Sequence, residues 1–274
     1  MTSNRESPRA VPIITLTTDF GAASHYVAQM KGVLLCGAPG ATLVDLSHDI
    51  PPQDIAAAAR LLEQGSPRFP RGTVHLAVVD PGVGTDRAIV VVEAAGQHYV
   101  GPDNGLFGWV GDWADGVVAV DPSKVGGETP SATFHGRDLM APVAARLAGG
   151  SGAAEFGEPL ESLVTLARTP DPKKNGKSIA GRIVEVDRFG NLISNIPVGM
   201  LSRAPRDTRL RVACGDEHET FGLQVTYGDQ PPHTLVALVG SGGMLELAIV
   251  NGSAADMLRA GEGDRLLVDW SHRE

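Results

Sequence analysis

Short apolar runs alternate along the first half of this chain with stretches whose apolar residues recur every three or four positions. Val11-Pro12-Ile13-Ile14-Thr15-Leu16-Thr17 predicts a buried strand that stops at Thr18-Asp19-Phe20-Gly21. Helical spacing follows, with Tyr26, Met30, Val33 and Leu34 on one face. A second strand over 42–46 leads to an alanine-rich helix from Asp54 to Leu62. The third strand, Thr73 to Val79, is apolar except for His75, and strands over 88–93 and 98–101 flank Ala95-Gly96. A further helix is predicted from Asp138 to Leu147, with Pro142 in its first turn and Gly149-Gly150 as its stop. Strands alternating with helices predict an α/β domain over 12–167: a Rossmann-like, mostly parallel sheet with helices on both faces.

The pattern changes after residues 168–177 (RTPDPKKNGK), a charged stretch with two prolines that reads as an interdomain linker. Beyond it, short strands over 179–186, 192–196, 208–213, 234–239, 244–250 and 265–268 are separated by turn residues, and only Ala254 to Leu258 is helical. This predicts an all-β domain over 178–274, a small antiparallel barrel-like sheet. Residues 1–11, mostly polar, are expected to be a disordered N-terminus.

Composition narrows the classes. The chain has 274 residues, 42% hydrophobic and 20% charged, as expected of a globular protein with one large or two ordinary domains. A formal charge of −9 without a basic cluster argues against nucleic acid, and 5% aromatics against stacking platforms for single strands. The two cysteines, Cys36 and Cys214, are far apart in sequence; Cys36 is expected to be buried, and nothing suggests a disulfide framework. The first ten residues lack the apolar stretch of a signal peptide, and no apolar run reaches membrane-spanning length. A cytoplasmic protein without membrane contact is expected.

Two blocks place reactive residues beside glycines where strands should end: Asp80-Pro81-Gly82-Val83-Gly84-Thr85-Asp86-Arg87 and Phe134-His135-Gly136-Arg137-Asp138. Asp80, Arg87 and His135 offer a carboxylate, a guanidinium and an imidazole, enough to position and deprotonate water. The alternatives are a structural Asp80–Arg87 ion pair and a His135 that merely begins a helix. Asp19, at the first strand's end, suits the vicinal hydroxyls of a ribose or else a helix N-cap. Asp187-Arg188-Phe189-Gly190-Asn191 is either a plain turn or a site where the Phe189 ring stacks on a planar ligand and Asn191 meets a base edge. Gly240-Ser241-Gly242-Gly243 is a flexible turn or a carboxylate-binding loop. Asp19-Phe20-Gly21 and His135-Gly136-Arg137-Asp138 lack the context of kinase motifs, and Walker A, G-x-G-x-x-G and G-x-S-x-G sequences are absent. Asp45, His48, Asp49 and Asp54 match no standard metal-ligand spacing.

Taken together, Leu16-Thr17-Thr18-Asp19-Phe20-Gly21, Tyr26 to Gly32, the Asp80–Arg87 block, Gly101-Pro102-Asp103-Asn104-Gly105, the His135 block and Asp187 to Ile193 resemble the S-adenosylmethionine hydrolases. These are also called SAM hydroxide adenosyltransferases and are relatives of the fluorinases and chlorinases. The resemblance implies hydrolysis of S-adenosyl-L-methionine (SAM) to adenosine and L-methionine by attack of water or hydroxide at ribose C5′, with no metal and no organic cofactor. It assigns Asp80, Arg87 and His135 to the nucleophile, and leaves open whether Asp80 or His135 takes the proton. It assigns Asp19 to the ribose, Phe189 and Asn191 to adenine, Asp187 and Ser241 to the methionine amine and carboxylate, and Asn104 to the substrate site. It further implies a homotrimer, alone or paired, with each active site between the first domain of one subunit and the second domain of its neighbour. Three departures from the fluorinase pattern are Gln53 for a tryptophan, Asp80 for the tyrosine beside the halide, and Gly242 for an arginine. A carboxylate beside the nucleophile repels a halide and accepts a proton from water, so a halide-using enzyme is the lesser reading, as is a non-catalytic SAM or adenosine binder.

Overall fold

The computed structural model describes residues 11–271 apart from 128 and 168. The expected disorder of residues 1–11 therefore lies, but for Val11, outside the described residues. The chain divides into two compact units, Met1–Leu166 and Ala167–Glu274.

The first unit opens with β1 (Ile13–Thr18), α1 (His25–Gly37), β2 (Thr42–Ser47), α2 (Ile55–Gly65) and β3 (Val74–Val78). It continues with β4 (Ile89–Ala94), β5 (Gln97–Pro102), β6 (Gly116–Val120), α3 (Pro122–Val125), α4 (Ala141–Ala148) and β7 (Gly157–Pro159). The sheet order is β2-β1-β3-β5-β4-β6-β7. Pairing is parallel from β2 through β1 and β3 to β5, as the alternating pattern predicts. The other half is antiparallel, because β4 returns directly into β5 through Ala95-Gly96, both at positive φ, and no helix fits in so short a connection. Met30 and Leu34 of α1 pack with Val143, Ala144 and Leu147 of α4 over one face of the sheet; Ala58 and Leu62 of α2 pack over the other. The buried face of α1 is Val27, Met30 and Leu34, while Tyr26 is exposed. Cys36, expected to be buried, is exposed. In the unbroken run Val33-Leu34-Leu35-Cys36 the apolar period is ambiguous, and the helix turns Leu35 and Cys36 away from the sheet.

His75 lies wholly buried on β3, its Nδ1 2.8 Å from Thr15 Oγ1 and its ring stacked 4.8 Å from that of Tyr99. Burial lowers its pKa from 6.5 to about 4. The unfolded chain thus binds a proton that the folded chain refuses, so stability contributed by neutral His75 is complete above pH 6.5 and is lost as pH falls toward 4. The loss is on the order of 3 kcal/mol. Urea melts of wild type and His75→Phe between pH 7 and 4 should show a shallower acid slope in the variant; parallel slopes would refute the assignment.

The second unit comprises β8 (Lys173–Asn175), β9 (Ser178–Val186), β10 (Leu192–Pro197), β11 (Arg211–Cys214), β12 (His218–Phe221), β13 (Leu235–Val239), β14 (Met244–Ile249), α5 (Ala254–Leu258) and β15 (Arg265–Asp269). Every strand pairing is antiparallel, in the order β12-β11-β15-β9-β10-β14-β13. Thr220 on β12 donates to the Leu235 carbonyl on β13 at 2.9 Å, which brings the two ends of the sheet together into a nearly closed barrel. Its interior is built by Ile179, Ile183, Leu192, Val212, Leu245, Leu247 and Val268. Within the stretch read as a linker, Lys173–Asn175 folds back on β9 through Gly176 at φ +58, so β8 is part of this sheet.

Candidate active site

The crossover from β1 through α1 leads outward to β2, whereas the next, through α2, carries the chain back past β1 to β3. The order of the sheet reverses between β1 and β3, and the crevice outside their carboxyl ends is where open α/β sheets bind ligands. Asp19 follows β1 there and Asp80 follows β3. A cavity of about 250 Å³ opens between them, lined by Asp19, Phe20, Gln53, Asp80, Phe134 and His135 among others.

Asp80 ends seven consecutive buried residues, and a carboxylate in such a place is costly unless paired. Its partner is Arg87, whose Nε lies 2.9 and 3.1 Å from the two carboxylate oxygens and whose Nη2 is 2.5 Å from Oδ2. Both side chains are almost fully buried. The intervening turn is held by Thr85, whose amide and hydroxyl both donate to the Gly82 carbonyl. Gly84, at φ +79, lies so near the His135 loop that a Cβ would sit 2.6 Å from the Ala132 carbonyl oxygen. Only glycine fits both requirements.

His135 enters from that loop. Ser131 N donates to Asp138 Oδ2 at 2.8 Å, Arg137 forks onto the Asp138 carboxylate, and Arg137 Nη1 reaches Gln29 Oε1 on α1 at 2.7 Å. Residues Gly136–Met140 form a π-helical turn ahead of α4, and Gly136 packs directly on Val78 at the end of β3. This brings His135 Nδ1 to 3.0 Å from Arg87 Nη2. A guanidinium only donates, so Nδ1 accepts and the imidazole proton resides on Nε2. Burial, then the adjacent charge of Arg87, holds the imidazole below its ordinary pKa of 6.5, which keeps it neutral at pH 7.

Asp80, Arg87 and His135 therefore form one continuous chain of hydrogen bonds, and Arg87 is its centre. Asp19 is not a helix cap, since Ser24 caps α1; its Oδ2 accepts from Gln53 N at 2.8 Å. Asn104 does not line this cavity. Its amide donates to the Val79 carbonyl at 2.9 Å, bracing the strand end that carries Asp80. Phe20 and Phe134 form an edge-on aromatic pair at 5.8 Å on the cavity wall. Neither was singled out from the sequence, where each was only a neighbour of a charged residue. Of the four polar residues that match no metal-ligand spacing, Asp54 caps α2 through the Ala57 amide, while Asp45 lies beside Lys31 and His48.

In the second unit the Asp187–Asn191 turn joins β9 to β10. Asp187 Oδ1 accepts from the amides of Phe189 and Asn191, and Oδ2 from the Asn191 side chain at 2.8 Å. Gly190, at φ +79, packs against Ser253, and the Ala255 amide donates to its carbonyl. The turn presents the Phe189 ring outward, 78% exposed. Ser241 is exposed in the β13–β14 turn. In the same unit Tyr227, in a short turn between β12 and β13, donates its hydroxyl to the buried carboxylate of Glu246 on β14, whose pKa is raised by burial.

Asp80 and His135 line the switch-point cavity, and Arg87, which does not line it, bonds both from behind; such a grouping of carboxylate, guanidinium and neutral imidazole is of the kind enzymes use to move a proton on a small substrate. The chain belongs to the SAM hydroxide adenosyltransferase family: residues 14–157 match the family's N-terminal domain and residues 181–267 its C-terminal domain. It is 40% identical to a (R)-S-adenosyl-L-methionine hydrolase of Salinispora arenicola over 94% of this chain and 98% of that one. It is 42% identical to a protein of the same name from Thermus thermophilus, over 90% and 95% of the two chains. The crystal structure of an uncharacterized conserved protein from Thermotoga maritima superposes with a TM-score of 0.86 at 34% identity, covering 93% of this chain and 99% of that one.

Proposed function

We propose that this protein hydrolyses S-adenosyl-L-methionine to adenosine and L-methionine, by attack of an activated water at ribose C5′. The observation that carries the reading is the Asp80–Arg87–His135 chain at a cavity that Asp19 also lines. The leaving group departs as a neutral thioether, so it needs no acid; the demand is to hold a poor nucleophile in line with the C5′–S bond. Arg87 supplies a fixed positive charge that favours hydroxide character. His135 already carries its proton on Nε2 while Nδ1 is held by Arg87, so it donates to the water oxygen. That leaves Asp80 as the acceptor of the proton, which balances the reaction: water and SAM give adenosine, methionine and one proton. Asp19 binds the ribose hydroxyls, and the sulfonium suits a chain of net charge −9. The names of the relatives specify the R configuration at sulfur, and we assign the same epimer here.

In this reading Phe189 and Asn191 receive adenine, and Asp187 and Ser241 the methionine end. Asn104 acts through Asp80. The subunits form a homotrimer in which the first domain of one faces the second domain of the next. Two observations support this: the first unit's cavity carries the reactive groups, and the second unit carries an exposed ring suited to a planar base. A cytoplasmic location fits two free thiols.

Incubation of the pure protein with SAM in ¹⁸O-water, followed by chromatography and mass spectrometry, tests the reaction. Adenosine and methionine should appear in equal amounts without added halide, with the label in adenosine. Intact SAM after prolonged incubation would leave only a binding protein, and a 5′-halogenated nucleoside formed with chloride or fluoride would make it a halide-using enzyme.

A further inference from the structure

Asp45 and His48, which fit no metal spacing, have another place in the fold. Parallel pairing sets the ends of β1 and β2 side by side. The register slips at the last step, from Leu16 opposite Asp45 to Thr17 opposite Ser47, so β2 spends an extra residue and delivers His48 beside Thr18. His48 is 5% exposed; its Nδ1 is 2.8 Å from Thr18 Oγ1 and its Nε2 3.0 Å from Asp45 Oδ1. The other Asp45 oxygen is 2.7 Å from Lys31 Nζ on α1.

The relay ends at the turn that carries Asp19. Thr18 Oγ1 accepts from Phe20 N at 3.3 Å, and the His48 carbonyl accepts from Gly21 N at 2.8 Å. His48 is thereby tied to the turn on both sides of Asp19. A few residues on, Gln53 holds the Asp19 carboxylate through its own amide while at φ +66, a conformation that costs a non-glycine residue about 1 kcal/mol and persists only where its surroundings impose it. Thr18 is wholly buried, so no ligand reaches its hydroxyl. A valine there would fill the same place in β1, yet would leave the Phe20 amide and the His48 ring without their shared partner. The hydroxyl therefore serves the turn rather than the strand.

We propose that Thr18 and His48 are positioning residues, the buried end of a Lys31–Asp45–His48–Thr18 chain of contacts that fixes the aim of Asp19 at the ribose hydroxyls of an adenosyl ligand. The proposal rests on the reading of Asp19 as the ribose-binding carboxylate. Titration calorimetry with adenosine and with 2′,3′-dideoxyadenosine tests both and needs no turnover. Wild type should prefer adenosine by at least about tenfold, the value of one or two charge-assisted hydrogen bonds. Thr18→Val should weaken adenosine about tenfold and leave the dideoxy ligand unchanged. Thr18→Ser should restore the preference, and Thr18→Val added to Asp19→Asn should have no further effect. Should T18V not fold, H48N is read on the same two ligands. A folded T18V that keeps the wild-type preference, or weakens both nucleosides alike, overturns the relay while the reading of Asp19 stands. A wild type that does not distinguish the two ligands overturns that reading and the relay with it.

Discussion

Arg87→Ala is expected to lower kcat for SAM hydrolysis about a thousandfold, the scale found when a preorganised charge stabiliser is removed. The affinity for adenosine, measured by calorimetry, should change by no more than about threefold. Three consequences of the deletion act together. The fixed positive charge beside the nucleophile disappears. His135 Nδ1 loses its donor, so the tautomer is no longer set. Asp80, 5% exposed at the end of a buried strand, loses its fork of three contacts and becomes an unpaired buried carboxylate. Without that fork the carboxylate is no longer held in place to take a proton from water. Arg87→Lys keeps the charge, but a single ammonium cannot span both carboxylate oxygens and the imidazole, so activity should recover only in part. Weakened adenosine binding with kcat intact would show instead that Arg87 holds substrate and takes no part in chemistry.

The importance of Arg87 was legible in the sequence as a residue type, but its central position was not. Apolar runs ending in Asp19 and Asp80 marked the two strand ends, because a buried strand must finish where the first charge appears. The parallel order that makes those ends neighbours follows from the crossover rules rather than from either run alone. Strand β12 was missed because His218-Glu219-Thr220-Phe221 is half-exposed at the edge of its sheet and carries no apolar alternation. The short strand β8 is hidden in a charged segment, since its residues are exposed and show no apolar alternation. The Thr18–His48 contact had no signal at all: it depends on a one-residue slip between two parallel strands. Asp187 accepts three hydrogen bonds from its own turn, beside the ligand role that the resemblance implies for it. Turn formation and ligand binding select the same residue types, and sequence cannot separate them.

The proposed homotrimer with shared sites makes a prediction that no single-chain enzyme would share. Arg87→Ala damages the first domain only, and Asn191→Ala, which removes the donor to Asp187 Oδ2, damages the second only. Each homotrimer should be nearly inactive. If the two proteins are unfolded together in equal amounts and refolded, subunits assort at random, and a site is intact when an undamaged first domain meets an undamaged second domain from its neighbour. That combination arises in about a quarter of sites, so about a quarter of wild-type activity should return. A site contained within one chain would recover nothing, because every chain carries one lesion. Refolding each variant alone controls for gains from the treatment itself, and light scattering confirms that the mixture has the mass of a trimer. Recovery without trimer mass would assign the sharing of sites to some other assembly. Trimer mass without recovery would show that association leaves each site to a single subunit, and Phe189 would then need a partner other than a neighbour's substrate to account for an aromatic ring left 78% exposed.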